Sequence, residues 1–401
     1  MSVTQITDDN IDSGIDTSKC IGAIGAMDGS ALTNINVGTS LLKYGFNPAV
    51  DTNPADGVGA IWINTVTGQM FSCTDATTDQ NTWTNMGSGT GHITYTPPLP
   101  WAFGGLGGGT VSGWMMGSAQ TTNVIQSYSY VSDGNAVDRA DLSSTSNQGA
   151  GNSSATHGYK SGGHDGSQTT LIQKFAFVNP AAVASNVGNL ETGVSGGACS
   201  VGNTSHAYTV GGHGAVSVIN DIQKFSYVSE GTAITAGAEL TLPNYHNAGS
   251  ASLTYGYSAG GQHGGPFNAV IDRFAFASDG TMFHVGDLTT VTGYTTGESS
   301  DTHGYTTGGM LTAPWSNSTT NIQKYAFASD AVISTVAGSI TQARMKGSSS
   351  SSSTRGYHAA GHDGSNFTNR IDRFDFANEA TTAIVGNMLA GNTTGGGSAQ
   401  S

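Results

Sequence analysis

The six residues IQKFAF, Ile172 to Phe177, return as IQSYSY at Ile125, IQKFSY at Ile222, IDRFAF at Ile271, IQKYAF at Ile322 and IDRFDF at Ile371. The interval is roughly 49 residues, a period at which each copy is one supersecondary unit that buries its apolar surface only against its neighbours. A second signature runs in phase with the first: SGWMMGS from Ser112, HGYKSGG from His157, HAYTVGG from His206, YGYSAGG from Tyr255, HGYTTGG from His303 and RGYHAAG from Arg355. A chain with this repeat is bound to fold as six equivalent units.

Each unit reads as four strands. The first is small and polar, as in GAGNSS, GSASLT and GSSSSS; the second is the GYxxGG stretch; the third is IQKFAF; the fourth follows a turn and runs through segments such as MFHVGDL. Ser278, Asp279 and Gly280 carry the chemistry of a tight hairpin turn. Side chains alternate along a strand, so Phe175 and Phe177 share one face while Ile172 and Ala176 share the other. Both faces are apolar, which suits a strand packed on two sides. Each aromatic buries ~150–250 Å², too little by itself to offset the ordering of roughly 49 residues. A unit therefore needs both neighbours. Small first-strand residues let six backbones converge, and the Gly pair ending the second strand permits a sharp change of direction.

Second strands ending in a Gly pair, followed by an aliphatic-x-x-aromatic third strand in a unit of this length, resemble kelch repeats. The chain lacks the Trp usual near the fourth strand of that family, so the resemblance is kelch-like. It implies an all-β fold with a six-bladed β-propeller over residues 101–401. The C-terminal TTGGGSAQS has the character of one more first strand and is expected to pair beside the first unit, closing the ring.

Ahead of the repeats, Ile61 to Asn64 alternate, turn at Thr67-Gly68 and continue through Gln69 to Cys73, a β-hairpin with Trp83 as the expected cover. The expected organisation is an extended attachment or oligomerisation arm over 1–54, a small β module with a Pro-rich linker over 55–100, and the propeller. The hairpin pattern is similar to short modules in bacteriophage tail-fibre and other virion proteins, and the IQKF, SDG and THGY wording resembles repeat proteins of tailed phages of marine bacteria. The resemblance implies a virion structural protein, tail-associated, assembled in the host cytoplasm without a signal peptide. Its implied partners are other virion proteins bound through the N-terminal region, further copies of itself, and host surface polysaccharide bound by the propeller. A purely architectural component, such as a tail nozzle or capsid decoration, is the alternative; a cellular kelch-type interaction module is a third.

Thirteen Lys and Arg stand against 27 Asp and Glu, a formal charge of −14. No basic stripe exists to neutralise a phosphate backbone, so direct nucleic-acid binding is not expected. Cys20, Cys73 and Cys199 suggest neither a disulfide framework nor a metal site. The opening MSVTQITDDN carries no basic leader, and no apolar run approaches the ~18 residues of a membrane span. No nucleophile elbow or phosphate loop is present; GGLGGG from Gly104 is followed by no Lys-Ser/Thr pair. Neither enzymatic activity nor a cofactor is expected.

Up-and-down strand order puts the loops between second and third strands at the same end as the loops joining units. The first set carries His164, Asp165, His213, His263, Phe267, Trp315, His362, Asp363 and Phe367; the second carries Tyr245, His246, Tyr294, Arg344 and Lys346. Rings that stack on sugar faces, beside His and Asp that pair with hydroxyls, make this rim the expected ligand-binding face. The competing reading is that the recurrent His bonds its own loop and recurs by duplication. Ligands on separate units are too far apart to converge on one metal ion. His157, His206 and His303 are expected at the opposite end in structural use. Lys174, Lys224, Arg273, Lys324 and Arg373 recur at one third-strand position, where snorkelling to an edge or pairing with a neighbouring carboxylate is expected.

Overall fold

The computed structural model describes residues 41–86, 111–118, 122–178, 180–329, 333–379, 382–389 and 397–400. Residues 1–40 of the expected arm, the linker Thr94 to Pro100 and the Gly104 to Gly109 run lie outside the described residues. The chain separates into two units, Met1–Pro97 and Pro98–Ser401.

In the N-terminal unit, strands Leu41–Tyr44, Ile61–Asn64, Met70–Asp75 and Thr82–Asn85 form one sheet in chain order. The first pair is parallel and the other two antiparallel. The hairpin turns where expected, because Asn64 Oδ1 accepts the amides of Val66 and Thr67 at 2.9 and 3.1 Å and Gly68 takes a φ of 73°. Trp83 is 0% exposed and meets the Trp62 ring edge-on at 5.8 Å, with Phe71 and Cys73 completing the core. The alternation therefore buries Trp62 and Asn64 and leaves Ile61 and Ile63 half-exposed. The expected arm boundary at 54 falls inside this sheet. Leu41–Tyr44 is one of its strands, and Asn81 ties down the following loop, donating through its backbone amide to Val50 O at 2.8 Å and through Nδ2 to Asn53 Oδ1 at 2.7 Å. Period-2 alternation is too short in LLKY to announce a strand whose partner is supplied 20 residues later.

The second unit is six four-stranded antiparallel sheets, each in the order first to fourth. Sheet one comprises Gly397–Gln400, Ser112–Ser118, Thr122–Ser129 and Val137–Asp141; sheet two Ala150–Ser153, His157–Ser161, Thr169–Ala176 and Ser185–Val194; sheet three Cys199–Gly202, His206–Val210, Asp221–Ser226 and Ile234–Glu239. Sheet four comprises Ala248–Ala251, Tyr255–Ala259, Val270–Ala275 and Phe283–Asp287; sheet five Thr296–Ser299, His303–Thr307, Asn321–Ala326 and Ile333–Ser339; sheet six Ser348–Ser351, Arg355–Ala359, Arg370–Asp375 and Thr382–Asn387. The four strands read from each repeat are these strands. The C-terminal strand supplies the first strand of sheet one, antiparallel to Ser112–Ser118 with Gly397 opposite Met116.

The Gly pair acts as expected. Gly162 and Gly163 take φ of 65° and 113°, and the later pairs repeat this; sheet six carries Ala360 at 57° in the first place. Every residue of the first strands of sheets two to six is buried. Their backbones nearly touch, since a Cβ on Gly297 would lie 2.1 Å from Gly249 O. Serine hydroxyls between these strands satisfy backbone groups: Ser349 Oγ donates to Gly297 O at 2.8 Å, and Ser299 and Ser351 Oγ accept the amides of Ala251 and Ser299 at 3.1 and 3.0 Å. Gly297→Ala is expected to cost about 3 kcal/mol or more, because backbone cannot yield as a side chain would. Gly280→Ala, which meets only the Ser278 side chain, should cost under about 1 kcal/mol, and urea titrations of both variants check the difference.

Each sheet places the aromatic of its second strand on the third-strand aromatics of the next. Trp114 meets Phe175 at 5.1 Å, Tyr159 meets Phe225 at 5.6 Å, Tyr208 meets Phe274 at 5.1 Å, Tyr257 meets Tyr325 at 5.7 Å and Tyr305 meets Phe374 at 5.4 Å. Tyr357 of sheet six lies on Tyr130 of sheet one at 4.5 Å. The recurrent third-strand cation reaches a carboxylate in the third-to-fourth turn of the following sheet: Lys174 to Glu230, Lys224 to Asp279, Lys324 to Glu379 and Arg373 to Asp133. Those four carboxylate residues take φ between 47° and 53°, the conformation the tight turn requires. Arg273 lies 4.2 Å over the Tyr255 ring.

Candidate functional site

The loops joining second to third strands and the loops joining sheets meet at one end, as strand order demands. Backbone bridges zip each pair together: Asn147 with His164, Ser195 with His213, Tyr245 with Gln262, Gly293 with Met310 and Met345 with His362. The loops of the expected rim are thus joined in pairs, and its members serve different ends.

The recurrent histidines bond within or next to their own loops. His164 Nδ1 accepts the Gly166 amide at 3.3 Å and His362 Nδ1 accepts that of Gly364 at 2.9 Å; both rings thus present Nε2–H. His213 Nδ1 donates to Gly214 O and His263 Nδ1 to Pro243 O, each at 2.7 Å, leaving Nε2 as the free lone pair. Asp363 is spent on the amides of Ser365 and Asn366 and the Gln342 side chain; the two amides hold its carboxyl below the usual range. Asp165 is exposed beside its own turn. Phe367, 43% exposed, meets His362 edge-on at 5.1 Å. Trp315 opens a short 3-10 turn ending at Asn317; its side chain lies outside the described residues.

Arg344 does not belong to the rim surface. It is fully buried, with Nη2 on Asp372 Oδ2 at 2.5 Å and Nη1 on Arg370 O at 3.1 Å. Its loop position suggested exposure, but the acid that draws it inward lies 28 residues away on the third strand of sheet six. It is a structural ion pair of the interior. His362, at 7% exposure, is likewise largely withdrawn.

What remains is contiguous. His246, Tyr294 and Lys346 occupy the same place in three successive sheets, two residues before the first strand, and all three have φ near 57°. Left-handed backbone is uncommon for such residues and clusters where function or tight packing sustains it. It turns each side chain onto its predecessor. His246 stacks on Tyr294 at 4.0 Å, and the Lys346 ammonium sits 4.7 Å over the same Tyr294 ring. Gly197, at the equivalent place in sheet three, leaves room for His246, whose Nδ1 lies 2.1 Å from where a Cβ would stand. Tyr245 adds to the array at 4.8 Å from His246, Phe267 at 5.9 Å from Tyr294, and His213 at 5.9 Å from Tyr245. Burial pushes the Tyr294 phenol up to about 12, lowers Lys346 to about 8 and takes His246 well below the usual histidine range. At neutral pH the array is therefore a neutral imidazole between half-buried phenols, with one ammonium at its end.

Lys160, Glu298 and His358 are buried ionisable groups that the sequence reading did not single out. Burial lowers Lys160 to about 7 and raises Glu298 to about 8. Lys160 Nζ donates to Ser146 Oγ at 2.7 Å and to Gly162 O at 3.2 Å, and His358 Nδ1 bonds Thr296 Oγ1 at 2.9 Å. Aligning the units would have flagged all three, since the equivalent residues in other units are Thr209 and Ser258, or Ser250 and Val201. His157, His206 and His303 lie at the opposite end, each with Nδ1 2.8 Å from the hydroxyl of the preceding residue. Among the described residues no three of His, Cys, Asp and Glu converge on a possible metal position.

The fold defines the class: an all-β chain of four-stranded sheets in consecutive strand order, six of them antiparallel and the N-terminal one mixed. A scan against protein-family models finds no match, and a search of curated proteins finds none either.

Proposed function

We propose that the six repeat sheets are the blades of a kelch-like β-propeller whose rim recognises glycans on a host cell surface, in a tail-associated structural protein of a bacteriophage particle. The six-fold succession supports the propeller: aromatic contacts pass from each sheet to the next and from sheet six to sheet one, and the C-terminal strand completes sheet one. The observation that carries the ligand reading is the stack Tyr245–His246–Tyr294–Lys346, a half-buried aromatic ledge with phenol, imidazole and ammonium groups along it. Aromatic faces take the apolar face of a sugar ring, and the polar tips pair with its hydroxyls. The N-terminal sheet would then serve attachment to other virion proteins or to further copies.

Tyr294 is the centre of the ledge. Tyr294→Ala is expected to weaken binding of the full chain to intact bacterial cells and their extracted surface polysaccharide at least tenfold, with its melting temperature within a few degrees of the parent. Biolayer interferometry on immobilised polysaccharide reads this directly. Equal binding by variant and parent would remove the ledge from recognition. Absence of binding to the polysaccharide of every susceptible host would favour the architectural role, which the buried first strands and inter-sheet ion pairs also suit as features of a rigid spacer.

A further inference from the structure

At the end opposite the rim, a groove of about 380 Å³ opens between sheets five and six. Volumes of this order hold small ligands. Its floor is apolar, formed by Phe376 stacked on Tyr305 at 4.9 Å. Its walls are the turns joining first and second strands, Asp301 and Thr302 on one side, Ser353 and Thr354 on the other.

The charges are unevenly committed. Glu379 gives both oxygens to Lys324 at 2.7 and 2.8 Å and accepts the Tyr305 hydroxyl at 3.3 Å, so its charge is neutralised. Asp301 has no hydrogen-bond or ion-pair partner among the described residues, and neither have the hydroxyls of Ser353 and Thr354. His303, whose Nδ1 bonds the Thr302 hydroxyl at 2.8 Å, also lines the groove.

The other units lack this combination. The residue at the place of Asp301 is Ala155, Thr204, Leu253 or Ser353. Between sheets three and four the facing wall carries Leu253 where Ser353 stands here, a bulky side chain 48% exposed. One uncompensated carboxylate, free hydroxyls on the opposite wall and an aromatic floor thus coincide only between sheets five and six among the described residues.

We infer that this groove is a binding subsite for a sugar ring bearing a free amine. The ammonium pairs with Asp301, ring hydroxyls bond Ser353, Thr354 and His303, and the apolar ring face lies on Phe376. Charge-assisted bonds of this kind are about twice as strong as neutral ones. The subsite is separate from the rim and stands whether or not the rim binds glycans.

The test is saturation-transfer NMR on the full chain at low salt with D-glucosamine, N-acetyl-D-glucosamine and D-glucose as probes. Transfer to glucosamine is expected, at least tenfold weaker in Asp301→Asn and lost in Ser353→Leu, which puts into the groove wall the bulky side chain that Leu253 carries at the equivalent place. Melting temperatures of both variants should match the parent. The loss caused by Asp301→Asn should be as large in the Tyr294→Ala background as in the parent, which separates this subsite from the rim reading. No transfer to glucosamine, equal transfer to N-acetylglucosamine, or an undiminished signal in Asp301→Asn would each overturn the assignment.

Discussion

Replacing Tyr357 by alanine is expected to lower the unfolding free energy by about 3–5 kcal/mol, the cost of emptying a buried aromatic site. Tyr357 is 0% exposed, stacks on Tyr130 at 4.5 Å with rings 26° apart, and lies 5.8 Å from Tyr128. Tyr128 in turn shares a buried hydroxyl bond with Ser350 at 2.7 Å, so the first and sixth sheets are joined by both packing and polarity. The informative comparison is Tyr257→Ala, the same contact between sheets four and five. In a closed ring the two substitutions cost alike, because every junction is equivalent. If the last sheet only ended the row, Tyr357→Ala would cost under about 1 kcal/mol while Tyr257→Ala kept its full effect. Urea titrations of both variants decide this. A Tyr357/Tyr130 double-mutant cycle should return a coupling of about 0.5–3 kcal/mol, as expected for residues in contact.

Glu298→Gln should remove a strong pH dependence of stability. The Glu298 carboxyl is 0% exposed; one oxygen accepts the Thr307 hydroxyl at 2.6 Å and the other has no partner among the described residues. Burial raises its pKa from 4.5 to about 8. Between those values the unfolded chain has lost the proton while the folded chain keeps it, so this group makes stability fall as pH rises from about 4.5 to about 8. Linkage puts the full effect on the order of 5 kcal/mol. The glutamine variant should match the parent near pH 4 and exceed it by several kcal/mol at pH 8. Lys160 slopes the opposite way, since its pKa is lowered to about 7 and the unfolded chain holds the extra proton up to about 10.5. The difference between variant and parent isolates Glu298, and a constant difference across pH 4–8 would refute its burial as a neutral acid.

Much of the fold was legible because its determinants are local. Hydrophobic alternation in IQKFAF, the Gly pair and the Asp-Gly turn each set backbone geometry within a few residues, so the strands and their order follow from one unit and the repeat multiplies the signal. Four of the five third-strand cations pair with a carboxylate, one of the two outcomes expected of a charge on a packed strand, while Arg273 lies over the Tyr255 ring. The rim was legible as an end of the sheets, but not as a site. Arg344 and Tyr294 sit in the same class of loop, yet one is drawn inside by Asp372 and the other forms the ledge. Nothing within either loop distinguishes them.

The sequence by itself determined six repeated four-stranded units, the hairpin with its Trp83 cover, and the residue types available at the rim. Their physics lies in periodicity, turn chemistry and side-chain size, all readable along the chain. Only the tertiary structure decided which residues meet: the C-terminal strand beside Ser112–Ser118, Tyr357 on Tyr130, His246 between Gly197 and Tyr294, and Asp301 facing Ser353 across a groove. These depend on how neighbouring sheets are spaced and turned. Coulomb interaction, ring stacking and desolvation act through distance in space, and residues 28 to 287 positions apart in the chain become neighbours only when the sheets are packed.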